Sequence, residues 1–220
     1  MLLKDSIDAF SYPAQRDWQT TAAAKRYGQR RTSQFDRRFE REDRIIGRWL
    51  DDLPKGSIVL DAPCGTGRLI EPITRRGLRY IGVDISPAMI DEARTRAASP
   101  IVHGFHVADV AQLPFPDSSV DCVVVWRLLH HIQSPEARAA IFSEAARVTR
   151  RTVLVSFHHP FSAAALRKKF YRRFLGKGNG VEFTAARLAR EAMSCGLRLA
   201  ATQGYRKYVS INWFACLEKP

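Results

Sequence analysis

Apolar, β-branched runs recur along the chain at 58–61, 79–84, 101–107, 120–126, 151–157, 197–204 and 207–217, and most are separated by stretches with helical spacing. Strands alternating with helices predict an α/β fold built on a doubly wound, mostly parallel sheet. The 120–126 run is apolar enough for a central strand buried on both faces. In 207–217, Val209, Ile211, Trp213, Ala215 and Leu217 alternate with Tyr208, Ser210, Asn212, Phe214 and Cys216, the period of a strand with two unlike faces. Phe35, Phe39, Ile45, Ile46, Trp49 and Leu50 approximate helical spacing among charged residues, which predicts an amphipathic helix over one end of the sheet. Further helices are expected over 67–76, stopped by Gly77; from Ser86-Pro87; from Ser134-Pro135-Glu136 to about 148; and from Thr184 to about 195, ended by Gly196. Between 163 and 180, Leu166, Phe170 and Phe174 recur every four residues while Arg167, Lys168, Lys169, Arg172 and Arg173 fill the remaining surface. This reads as a short basic amphipathic helix followed by a glycine-rich loop.

The chain is organised around residues 58–68, where an apolar strand ends in Asp61 and passes through Gly65 and Gly67 into a helix. In doubly wound folds that turn is where small molecules bind. A carboxylate fixed beside a phosphate-binding loop would repel the phosphate, and the third small residue of the dinucleotide pattern is replaced by Ile70. A dinucleotide is therefore disfavoured. S-adenosylmethionine (SAM) carries no phosphate, and acids attract its sulfonium and ammonium groups.

Val59-Leu-Asp-Ala-Pro-Cys-Gly-Thr-Gly67, Gly82-Val-Asp-Ile-Ser-Pro-Ala-Met-Ile90 and Ala108-Asp-Val-Ala-Gln-Leu-Pro-Phe115 resemble successive motifs of the class I SAM-dependent methyltransferases. The resemblance covers roughly residues 40–160 and departs at Pro63, where the family usually has glycine. It implies a seven-stranded Rossmann-like sheet whose last strand is antiparallel, capped by N-terminal helix. It also implies SAM as cofactor, held by Asp61, Pro63, Gly65 and Gly67 in the first loop. Asp84, at the end of the second strand, accepts from the ribose hydroxyls, with Ile85 next to it in the cofactor site and Met89 packed on the adenine or filling core. Asp109 and the Val110 N–H receive the adenine edge, Arg127 or Leu128 forms the pocket floor, and Arg41 meets the SAM carboxylate.

The chain of 220 residues is read as one domain: a helical lead-in (1–56), a SAM-binding core (57–160), a basic lid (161–182) and closing helix and strands (183–220). His131, and His158 with His159, follow the fourth and fifth strands and are the candidate catalytic or acceptor-positioning residues, alongside the reading of packed core histidines. Sequential histidine pairs lack the i, i+4 spacing of common metal sites, so no metal is expected. Four scattered cysteines without C-x-x-C spacing read as thiols of a cytoplasmic protein. The first residues predict no signal peptide and no stretch reaches transmembrane length.

The formal net charge of +13 changes the picture of partners. It favours a polyanion, an anionic membrane surface or a phosphorylated substrate, or else reflects an arginine-rich background. The favoured function is methylation of a small-molecule or lipid-linked, anionic acceptor, with the 163–177 helix at the inner membrane face. RNA methylation and a non-catalytic SAM-binding partner subunit are the alternatives, and the oligomeric state is left open.

Overall fold

The computed structural model describes residues 33–97, 99–163, 165, 167, 181–205 and 209–220, together with Ala22. In chain order the elements are α1 (Ser33–Asp51), β1 (Ile58–Asp61), α2 (Ile70–Thr74), β2 (Arg79–Asp84), α3 (Pro87–Arg94), β3 (Val102–Val107), β4 (Val120–Val125), a 3₁₀ turn (Leu129–His131), α4 (Pro135–Val148), β5 (Thr149–His158), α5 (Ala185–Met193), β6 (Arg198–Gly204) and β7 (Asn212–Glu218). The seven strands form one sheet in the order β3-β2-β1-β4-β5-β7-β6. The first five run parallel, and β7 lies antiparallel between β5 and β6.

Burial assigns the layers. On one face Leu60, Val83, Val123, Val125 and Phe157 pack with Ile141 and Phe142 of α4 and Leu188 of α5. On the other, Val59, Tyr80, Cys122, Val124, Leu154 and Phe214 pack with Ile45, Ile46 and Leu50 of α1 and with Ile70 and Ile73 of α2. Strand order reverses between β1 and β4, which opens a crevice at their carboxyl ends. No described helix is long and apolar enough to cross a membrane.

The helix expected over 67–76 is confined to Ile70–Thr74, because Gly65 (φ 53°) and Gly67 (φ 74°) hold the preceding loop in left-handed conformations. A Cβ on Gly67 would stand 2.4 Å from Ile70 Cδ1 and 3.3 Å from Ala93 Cα, so the glycine also lets α2 and α3 approach. Gly67→Ala is expected to destabilise the fold by about 2 kcal/mol, from left-handed backbone and overpacking, read as a lower denaturant midpoint. Ser134 Oγ accepts from Ala137 N at 3.1 Å to cap α4, and Ser134→Ala should cost about 1 kcal/mol in the same measurement.

β7 begins at Asn212, not 207, and Lys207 and Tyr208 lie outside the described residues. Its two faces are less unlike than the alternation suggested. Phe214, Ala215, Cys216 and Leu217 are all buried, since β7 is interior to the sheet with helices on both sides. Of the basic helix expected from 163, Ala163, Ala165 and Arg167 are helical, with Ala165 N donating to Ser162 Oγ at 3.1 Å. Residues 164, 166 and 168–180 lie outside the described set.

Candidate functional site

The crevice contains a cavity of about 310 Å³. Asp61 and Asp84 line one end of it, at the tips of adjacent parallel strands. Asp61 pairs with Gly82, and the two-residue period of β2 puts Tyr80, Gly82 and Asp84 on one face, so Asp61 falls between Tyr80 and Asp84. Asp84 is wrapped by backbone: Gly65 N donates to its Oδ2 at 2.9 Å and Ser86 N to its Oδ1 at 2.9 Å. Burial raises its pKa, while the N–H donors of Ser86, Gly65 and Ile85 oppose that rise. Asp61 is 1 % exposed and takes one hydrogen bond, from the Tyr80 hydroxyl to Oδ2 at 2.9 Å. Its Oδ1 has no hydrogen-bond partner among the described residues. Burial pushes its pKa up to about 8; the Tyr80 bond opposes the shift and the Asp84 charge adds to it.

Ile85, Met89, Asp109, Val110 and Ala111 form an adjoining wall. Ala108 N donates to Asp84 O at 3.1 Å and Ala111 N to Asp109 Oδ1 at 2.8 Å, so the loop after β3 is tied to the end of β2.

Cations stand on the α1 side. Arg127 has φ 58°, an uncommon conformation for a bulky residue. Its N–H donates to Ser156 Oγ at 2.6 Å and its guanidinium to Glu42 Oε1 at 2.8 Å. Glu42, 3 % exposed, also pairs with Arg68 at 3.3 Å. Arg41 does not line the cavity; its guanidinium lies over the Tyr205 ring at 5.2 Å. The physical reason is helix register: neighbours differ by about 100° in direction, so turning Glu42 inward turns Arg41 away. Arg68 and Arg127 are the arginines at the cavity. Glu42 was missed because an acid in a run of arginines reads as a solvated surface charge.

Histidines form the far end. His130 and His131 on the 3₁₀ turn and His158 at the end of β5 line the cavity, with ring centroids 4.1 Å apart for His130–His131 and 3.8 Å for His130–His158. Val181 N donates to His130 O and Phe183 N to His158 O, at 2.9 and 2.7 Å. His159 lies outside the lining, because successive strand residues face opposite ways. It stacks on Trp213 at 4.4 Å and accepts from Phe161 N through Nδ1 at 3.2 Å, and burial lowers its pKa.

Of the residues expected at the cofactor, Asp61, Pro63, Gly65, Asp84, Ile85, Met89, Asp109, Val110, Arg127 and Leu128 line one cavity; Gly67 does not, and serves packing below the loop. Among the described residues no group of three or more His, Cys, Asp or Glu side chains is placed to hold a metal. The donor set fits SAM. Buried acids offer oxygens to hydroxyl and ammonium groups, Arg68 and Arg127 offer charge to a carboxylate, and the Asp61 Oδ1 has no protein donor among the described residues. A Cβ on Gly65 would meet nothing within 4 Å, so the loop borders open space.

A family model described as "Methyltransferase domain" matches residues 59–152. The 27-O-demethylrifamycin SV methyltransferase of Amycolatopsis mediterranei is 30% identical over 187 residues, covering 80% of this chain and 66% of that protein. The magnesium-protoporphyrin O-methyltransferase of Synechocystis is 35% identical over 103 residues, covering 45% of this chain and 44% of that protein. A tRNA (carboxymethyluridine(34)-5-O)-methyltransferase of Xenopus tropicalis is 32% identical over 106 residues, covering 48% of this chain and 16% of that protein. The chain thus spans less than two thirds of the length of these curated relatives. Its fold matches the crystal structure of magnesium protoporphyrin IX methyltransferase from Synechocystis PCC 6803 with bound SAH, at TM-score 0.72 and 20% identity over 98% of this chain and 99% of that one.

Proposed function

Since the chain belongs to the class I SAM-dependent methyltransferases, we propose that it transfers a methyl group to a small-molecule or lipid-linked acceptor. The observation that carries this reading is a single cavity with buried carboxylates at one end and three imidazoles at the other. When bound, SAM supplies a methyl group already activated by its sulfonium. What remains for the chain is to hold the donor, orient the acceptor and exclude water. Asp84 receives the ribose hydroxyls, Asp109 and the Val110 N–H the adenine edge, Asp61 the ammonium, and Arg68 with Arg127 the carboxylate. An acceptor hydroxyl entering at the far end gives its proton to His131 or His158; acceptors with a free lone pair need no base.

The acceptor class is supported by the apolar lining contributed by Leu128, Ile132, Ile141 and Phe157 and by relatives named for rifamycin and magnesium-protoporphyrin methylation. Arg167, Lys168, Lys169, Arg172, Arg173 and Lys177, with no acid between 163 and 177, favour an anionic acceptor or one presented by anionic lipid. RNA is the second reading, resting on the net charge of +13.

Calorimetry with SAM tests the donor site, and transfer of labelled methyl from SAM into fractionated cell extract tests the acceptor. The expected label is in the lipid or low-mass fraction. Label confined to RNA would replace the acceptor reading, and absence of SAM binding would remove the donor assignment.

A further inference from the structure

Tyr80 is a fully buried phenol on a strand that otherwise carries core and cofactor-loop residues. Its hydroxyl meets Asp61 Oδ2 at 2.9 Å and also interacts with the Cys64 thiol. The two carboxylates at this end of the cavity differ in kind. Asp84 has a backbone N–H on each oxygen, so protein donors stabilise its charged form. Asp61 has a donor on Oδ2 alone, and the second oxygen of this cavity-lining residue is buried with none among the described residues. Leaving a buried carboxylate half-satisfied is costly unless it carries a proton or a cation arrives.

We propose that Tyr80 is a positioning residue: it fixes the Asp61 carboxyl through Oδ2, keeps Oδ1 for a cationic group of the methyl donor, and thereby couples donor binding to release of a proton. This rests on the donor site described above and extends it to a residue that does not line the cavity.

The surroundings of Asp61 support the coupling. Asp84 from the end of β2 lines the same cavity and opposes a second negative charge, while Glu42 of α1, also in the lining, is paired with Arg68 and Arg127. The Cys64 thiol and the Tyr80 hydroxyl are both pushed well up by burial, so both stay neutral through the working range and Tyr80 remains a donor. His130, His131 and His158 stand at the other end. Because the Asp61 pKa is raised to about 8, the ligand-free protein keeps the proton at neutral pH, and a bound ammonium displaces it. The sign follows: donor affinity increases with pH below about 8, by up to about tenfold per pH unit, and stops rising above it, where the donor's own ammonium begins to lose its proton in wild type and variants alike. In the ligand-free protein the same group makes stability fall as pH rises from the ordinary carboxylate range through about 8.

The test is calorimetry of SAM binding to the full chain at several pH values from about 6 to 10, each in two buffers of different ionisation enthalpy, with variants compared to wild type at each pH. Wild type should release close to one proton at about pH 7. Asp61→Asn should bind more weakly and show only the small proton exchange of SAM itself. Tyr80→Phe should move the midpoint of the affinity profile upward by about half a unit or more, because Asp61 loses its one donor, while affinity above that midpoint stays within about threefold of wild type. Equal proton exchange in wild type and Asp61→Asn would overturn the proposal, and so would a uniform loss of affinity at every pH in Tyr80→Phe. If Tyr80→Phe fails to fold, the wild-type and Asp61→Asn pair still decides the coupling. Failure of SAM to bind wild type at any pH would remove the donor site itself, a different result from binding without proton release.

Discussion

Asp84→Ala is expected to weaken SAM binding at least about 100-fold, on the order of 3 kcal/mol, with the ligand-free protein still folded. In the proposed donor site the size follows from losing charge-assisted hydrogen bonds to two ribose hydroxyls. The substitution also strips the acceptor from Gly65 N and Ser86 N, the groups that shape the glycine loop and the start of α3. Stability should suffer less than binding. Burial raises the Asp84 pKa, so its charge is a net cost to the ligand-free fold at neutral pH, and removing it offsets part of the lost hydrogen bonding. Calorimetry gives the affinity and thermal unfolding controls for folding. Asp84→Asn keeps one acceptor oxygen and should fall between the two. An Asp84→Ala protein that binds SAM within about threefold of wild type would remove Asp84 from the donor site.

Much of this geometry was legible because short-range rules fixed it. β2 begins and ends at the residues that the apolar run and its terminal acid marked, and the Ser134-Pro135 signal placed the start of α4 to the residue. Asp61 and Asp84 were readable as a pair since each ends a parallel strand, and parallel neighbours bring their tips together. What escaped depended on direction and on partners distant in sequence. Arg41 and Glu42 are adjacent in a helix, and only packing against the sheet decides which turns inward. His158 and His159 are adjacent at the end of a strand, and only one of them can face the cavity. The Tyr80 to Asp61 bond could have been read. The strand period puts Tyr80 on the Asp84 face, and an aromatic hydroxyl inside a buried strand demands a partner.

The largest expected effect on stability is at Arg138, which sits at 0 % exposure in the first turn and a half of α4. Its Nε and one terminal nitrogen donate to the two oxygens of Glu191 at 2.8 Å each, and the other terminal nitrogen donates to Ile132 O at 3.0 Å and Gln133 O at 2.8 Å. The guanidinium carbon lies over the Phe183 ring, 4.9 Å from its centroid. Arg138→Ala is expected to cost about 3–5 kcal/mol, since it removes a fully buried cation and strands two carbonyls and a half-buried carboxylate. Arg187, at 2.9 Å from Glu191, makes up part of the loss. Burial alone would raise the Glu191 pKa, but hydrogen bonds from Arg138 and Arg187 outweigh it and hold the pKa below the ordinary range. The stability from that lowered pKa is present above the ordinary carboxylate range and is lost as pH falls through the lowered value. Denaturant midpoints should therefore separate wild type from Arg138→Ala at neutral pH and converge in acid. Arg138→Met combined with Glu191→Leu should recover much of the loss, because a well-packed apolar pair avoids the desolvation of both charges. The bond to Ile132 O lies one residue beyond the turn that carries His130 and His131, and Phe183 N is bonded to His158 O. Arg138→Ala should therefore disturb turnover with acceptor more than SAM affinity, and an equal loss of both would show that its role is confined to global stability.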